Sequence, residues 1–172
     1  LTKWFHVEPC TWTETLLMEE LSLDGMLLEQ RPVVIDKLPP DLWIDAAYPA
    51  DVQAGEPADF TLFYGNDGGF ENAVMVRNEF PPEAPFVSLV PPADRVDPAG
   101  LWAAWDVGAL PQGSGGNIVV TVDIAPDLAP GDVITIVDWI FDHVGSPADD
   151  VIIEMRLVIH PLYLPVIMRA SP

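Results

Sequence analysis

From residue 41 onward, apolar side chains recur at every second position in short runs broken by turn residues. Phe60, Leu62 and Tyr64 alternate with Asp59, Thr61 and Phe63, and Ile118, Val120, Val122 and Ile124 alternate with Val119, Thr121 and Asp123. Period-two alternation sends one side chain into a core and the next toward solvent, which is a strand with one buried face. A run opening at Leu42-Trp43-Ile44 and ending at Pro49 predicts another strand. So do residues 73–80, stopped by Pro81-Pro82, and 86–90, stopped by Pro91-Pro92. Residues 102–107, 133–141 and 151–159 complete the set. Turns are expected at Ala54-Gly55-Glu56-Pro57, Asn66-Asp67-Gly68-Gly69, residues 108–116, Ala129-Pro130-Gly131-Asp132 and Gly145-Ser146-Pro147. These turns combine Gly, Asn and Asp, which tolerate positive φ, with Pro, which presets φ at about −65°. Turn signals every 8–12 or so residues with no helical stretch predict an all-β, immunoglobulin-like Greek-key β-sandwich of about 7–8 strands.

Residues 1–40 read differently. Asp24-Gly25 between two apolar runs is a strong hairpin signal. It predicts an extra N-terminal β-hairpin of residues 16–23 and 26–35, with a short strand near 4–7. A helix over 13–21 is the alternative, because Leu, Met and Glu all favour one. Leu38-Pro39-Pro40 makes a stiff boundary, since neither proline continues a helix or a central strand. The expected organisation is therefore 1–40 as N-terminal strands, 41–159 as the sandwich and 160–172 as a tail.

Charge narrows the partners. Against 27 Asp and Glu the 172-residue chain sets 7 Lys and Arg, a formal net charge of −20. Nucleic-acid binding needs the opposite sign, and anionic membrane surfaces are disfavoured for the same reason. Yet 49% of residues are apolar, far more than an acidic disordered tail carries. A chain of this size can bury roughly 70% of its surface, so no metal or disulfide staple is required. Cys10 is the single cysteine and reads as a partly buried small apolar residue, with pairing to another chain as the alternative. No basic segment followed by an apolar run opens the chain, which starts in mid-pattern like a piece of a larger protein. The apolar stretch 161–168 is too short to span a bilayer, so no membrane insertion is expected. Of the cations after residue 40, the sandwich holds Arg77, Arg95 and Arg156. Such a surface suits a saline or cation-rich exterior that screens self-repulsion. The thermal midpoint should rise on adding NaCl or CaCl₂; a midpoint indifferent to both would remove this reading.

Over about 120 residues the order of elements resembles a bacterial surface-protein repeat, domain-of-unknown-function family eleven. That family is similar to cell-adhesion-related immunoglobulin-like modules. The resemblance rests on Asp41-Leu42, Ala54-Gly55-Glu56, the alternating strand 60–64, Asn66-Asp67-Gly68 and Phe80-Pro81. It continues through Trp105-Asp106-Val107-Gly108-Ala109-Leu110, Gly113-Ser114 and the strand 118–124. The chain departs from it at Ile134-Thr135-Ile136-Val137-Asp138, where the family carries Asn-x-Ala. The resemblance implies a stalk or adhesive unit of an exported protein, with neighbouring modules of the same chain as partners and no catalytic residues. The segment Tyr163-Leu164-Pro165-Val166-Ile167-Met168-Arg169 is similar to the ends of exported proteins in some filamentous bacteria.

Candidate chemistry is sparse. Gly113-Ser114-Gly115-Gly116 resembles a serine-protease loop, but its Asp is missing and His6 is the single upstream histidine. His6 and Cys10 stand at a metal-ligand spacing that Pro9 disrupts, and His143 and His160 lie far off. No cofactor is expected apart from calcium, whose candidate ligands at the sandwich ends are Asp67, Glu71, Asp142, Asp149 and Asp150. Calcium takes 6–8 oxygens, many from loops. Trp43, Trp102 and Trp139 are candidate binding platforms for a polysaccharide or another surface protein, since indole faces stack on sugars and anchor interfaces. Trp102 and Trp105 are an odd number of residues apart, so they should face opposite sides. The resemblance implies that Trp105 takes the core position, which leaves Trp102 to face outward.

Overall fold

The structure is a computed structural model. It describes residues 38–159 in full and, before them, the backbones of three strands: β1 (Thr2–Val7), β2 (Glu14–Leu23) and β3 (Met26–Asp36). These form one antiparallel sheet in the order β1-β2-β3. Leu23 pairs with Met26, as the hairpin reading requires. The helical alternative over 13–21 does not form, because β2 pairs with a neighbour on both sides. The Asp24-Gly25 turn itself, Cys10 and the tail 160–172 lie outside the described residues.

Residues 42–157 make two packed sheets. Their strands are β4 (Leu42–Ala47), β5 (Asp51–Val52), β6 (Pro57–Asn66), β7 (Glu71–Glu79), β8 (Phe86–Val90), β9 (Arg95–Val96), β10 (Trp102–Leu110), β11 (Ser114–Asp123), β12 (Val133–Phe141) and β13 (Pro147–Leu157). One sheet runs β4-β6-β11-β8 and the other β5-β13-β12-β7-β10-β9. The first order is the A-B-E-D arrangement of an immunoglobulin sandwich, and β13-β12-β7 supplies its G-F-C. Eight strands carry the architecture; β5 and β9 are two-residue edge pieces. β5 pairs parallel with β13. Among the described residues no helix is long and apolar enough to cross a membrane.

Alternation builds the core. Phe60 and Leu62 from β6, Ile118, Val120 and Val122 from β11, Val74 and Val76 from β7, Ile134, Ile136 and Ile140 from β12, and Ile153 and Met155 from β13 are all buried. Trp105 is buried as well, and its indole Nε1 donates to the Pro91 carbonyl at 3.0 Å.

Three turn expectations are corrected. Residues 108–116 are not one turn. Gly108, at φ +80°, makes a bulge in β10, which runs on to Leu110. Gly115 and Gly116 lie in β11, where a Cβ on Gly116 would meet the Tyr64 ring. Gly68 serves close approach rather than positive φ, because the backbone of Pro39 and Asp41 lies where its side chain would be. Finally, β13 begins at Pro147, so Asp149 and Asp150 belong to a strand and not to a loop.

Candidate functional site

The outer face of the six-stranded sheet gathers the chemistry that the sequence leaves scattered. Register places Asp150, Trp139, Arg77, Ala104 and Arg95 in one row across β13, β12, β7, β10 and β9. Trp102 sits in the next row, opposite Glu79. The Arg77 guanidinium lies over the Trp102 ring, 5.3 Å from its centroid, and pairs with Glu79 at 2.7 Å. Arg95 pairs with Asp106 at 2.6 Å. Arg156 projects from the same face, between the inward Met155 and Leu157. All three arginines of residues 38–159 therefore stand on one side of the sandwich. The outer face of the four-stranded sheet carries Asp45, Asp59 and Asp123 and no cation. Asp59 accepts a hydrogen bond from Thr121 Oγ1 at 2.7 Å.

Trp102 and Trp139 are half-buried. They share the arginine-bearing face, with Arg77 on the strand between them. Trp43 is elsewhere, on the outer face of β4. Its indole lies over Gly65, where a Cβ would meet the ring, so a glycine on the neighbouring strand makes room for it. Its Nε1 is buried without a partner. The structure thus brings two of the three candidate tryptophans together and leaves the third apart.

The carboxylates proposed for calcium are engaged locally. Asp142 Oδ1 accepts from the N–H groups of Val144 (3.1 Å) and Ser146 (2.8 Å), closing the β12–β13 turn. Asp149 Oδ2 accepts from Ile44 N at 3.0 Å and so ties β13 to β4 across the two sheets. Glu71 is buried; its Oε1 accepts from Asn72 N and faces His143 Nδ1 at 2.9 Å. Asp67 and Asp150 are exposed. Among the described residues no three His, Cys, Asp or Glu side chains gather into a metal-binding group. Ser114 Oγ donates to the Pro111 carbonyl. An open recess at the far end is lined by Gln53, Ala54, Leu128, Pro130, Leu157, Val158 and Ile159, and none of these can titrate.

Two polar features escape a motif search. Asn66 is fully buried at the end of β6 and makes four hydrogen bonds. It accepts from Asp41 N (3.0 Å) and Gly68 N (3.1 Å) and donates to the carbonyls of Gly69 and Leu110. Asp138 is fully buried on β12. Burial pushes its carboxyl well above the usual range, and the side chain of Asn78 pulls it back in part. Alternation holds the signal for both members of that pair. Asp138 is in frame with Ile134, Ile136 and Ile140, and Asn78 with Val74 and Val76.

No protein-family model matches the sequence, and no curated protein matches it. Solved structures share its fold. The Streptococcus agalactiae AgI/II polypeptide BspA C-terminal domain is similar at TM-score 0.49 and 10% identity, over 83% of this chain and 57% of that one. A second BspA C-terminal structure reaches 0.50, again at 10% identity, over 83% and 58%. A cohesin module from a Clostridium perfringens family 33 glycoside hydrolase is similar at 0.43 and 14% identity, over 69% and 96%. So is AvmM, which catalyses macrocyclization in alchivemycin A biosynthesis, at 0.46 and 13%, over 83% and 96%. At such identities the likeness is one of fold alone.

Proposed function

We propose that this chain is a non-catalytic extracellular or cell-surface module, a structural spacer or adhesion repeat of a larger exported protein. The observation that supports it most is where the sandwich is entered and left. Asp41 enters beside Asn66 and Leu110, at the end of the sandwich that also holds the Glu71–His143 contact and the β12–β13 turn. β13 starts from that turn and carries the chain to Leu157 at the opposite end, where Gly131 N donates to the Leu157 carbonyl. Entry and exit at opposite ends suit an in-line unit. The eleven residues of β13 alone advance the chain by about 36 Å. The BspA likeness agrees in fold. In this reading calcium acts as a surface counter-ion for the acidic rim.

A second reading is favoured by one specific observation, the pairing of Trp102 and Trp139 around Arg77 on one face. Tryptophan and arginine are the residues that most often carry binding energy at interfaces. In that reading the face binds a polysaccharide or another surface protein. A depletion assay separates the two. Purified chain is mixed with insoluble polysaccharides and with bacterial envelopes, with and without calcium, and the unbound fraction is measured. The spacer reading expects the protein to stay in solution with every surface. Loss from solution that Trp102→Ala abolishes would replace it with a binding module and locate the site.

A further inference from the structure

The core holds two polar side chains that no other group among the described residues satisfies. Asp138 on β12 and Asn78 on β7 stand directly opposite in the antiparallel register, and both have no exposed surface. None of their four side-chain oxygen and nitrogen atoms finds a well-directed hydrogen-bond partner. Their surroundings are apolar. Val151 lies across from Asp138 on β13, and Ala103 across from Asn78 on β10. β4, the strand of the other sheet that packs on β12, brings Leu42, Ile44 and Ala46 to the core. The titratable groups turned inward on these elements are Asp149 of β13, bonded to Ile44 N, and Glu71 at the start of β7, engaged with His143. Tyr64 of β6 is a third, and burial raises its phenol. None of these inward groups on the packed strands is a permanent cation.

A carboxylate placed there would face an amide without a counter-charge. A neutral carboxylic acid behaves differently, because an acid and a primary amide are complementary. The acid O–H donates to the amide carbonyl while the amide N–H donates to the acid carbonyl, two bonds in one ring. Rotation about the terminal side-chain torsions, which are soft, suffices to align them. Ionisation removes the O–H donor and leaves Asn78 Oδ1 against a negative charge.

We infer that Asp138 and Asn78 form a neutral acid–amide pair that fastens β12 to β7, so that the sandwich takes up a proton at this site on folding and tightens in acid. Burial raises the Asp138 carboxyl in agreement with this, and the Asn78 N–H, which also serves a carboxylate, pulls it only part of the way back. In the unfolded chain an aspartate titrates near pH 3.9. A folded-state value above that makes the contribution fully present below about pH 4 and progressively lost as pH rises through the folded value. Relief of the general negative charge in acid acts in the same direction, so the test must subtract it.

Asp138→Asn is isosteric, keeps an amide opposite Asn78 and cannot titrate. Thermal unfolding of the wild type and this variant is compared at pH 4 and pH 8 in the same high salt, which cancels the shared surface term. The midpoint of the variant minus that of the wild type should be zero or negative at pH 4 and rise by about 4 °C or more at pH 8. An equal difference at both pH values overturns the inference. Carbon-13 NMR of the Asp138 carboxyl in the wild-type chain gives a second reading that needs no variant to fold. The resonance should stay that of the protonated acid through the range in which exposed aspartates titrate; titration together with them overturns the inference. Neither outcome depends on what the surface binds.

Discussion

Asn66→Ala is expected to lower the stability of the sandwich by about 3–5 kcal/mol. The side chain has no exposed surface and four partners, so its loss orphans two backbone N–H groups and two carbonyls. A buried polar group left unpaired costs about 1–3 kcal/mol, and partial entry of water brings the sum below the simple total. The partners come from different places. Asp41 leads into β4, Gly68 and Gly69 make the β6–β7 turn, and Leu110 ends β10 in the opposite sheet. One amide therefore joins the entry of the chain to both layers. Asn66→Asp tests the donor half separately: it keeps the two accepted bonds, loses both donations and sets a charge against two carbonyls. Chemical denaturation of both variants measures this, and a loss below about 1 kcal/mol for the alanine would show that the network is not structural.

Trp105→Ala is expected to cost about as much, 3–5 kcal/mol, whereas Trp102→Ala three residues away should cost about 1 kcal/mol or less. Emptying a buried tryptophan site forfeits transfer energy and leaves a cavity. Trp105 is 4% exposed and also latches the crossing between the sheets through its bond to Pro91. The same segment returns as Asp94, whose N donates to the Ala104 carbonyl and whose Oδ2 accepts from Asp106 N. Trp102 is on the outside, held by the cation–π contact with Arg77, a partly exposed interaction of about 0.5–1 kcal/mol. Trp105→Phe should restore most of the packing and leave the Pro91 carbonyl unpaired. Equal losses for the two alanine variants would contradict the assignment of faces.

That contrast rests on parity along a strand, and parity was legible before any coordinates. The alternation at 60–64 and 118–124, the proline stops after Phe80 and Val90, and the hairpin ending at Leu23 and Met26 all follow from local rules: period two for a half-buried strand, no ladder donor at proline, positive φ at Asp-Gly. Those rules act within a few residues, so over 41–159 the sequence by itself determined the main strands, their alternating faces and the all-β class, while strand against helix at 13–21 was decided by the pairing of β2. Tertiary structure decided the remainder, because the remainder concerns which strands lie side by side. β5 and β9 are two residues long and exist through their pairing with β13 and β10. Gly108 reads as a turn until β7 continues beside it and makes it a bulge. Asp149 and Asp150 read as loop acids until β12 draws them into a strand. Arg77, Arg95 and Arg156 are far apart in sequence and share a face because β7, β9 and β13 belong to one sheet. Asp138 shows the boundary best. Alternation alone aims it at the core, but only the register that sets Asn78 opposite it, with no permanent cation turned inward on the packed strands, turns a buried acid into one that is most stable with its proton.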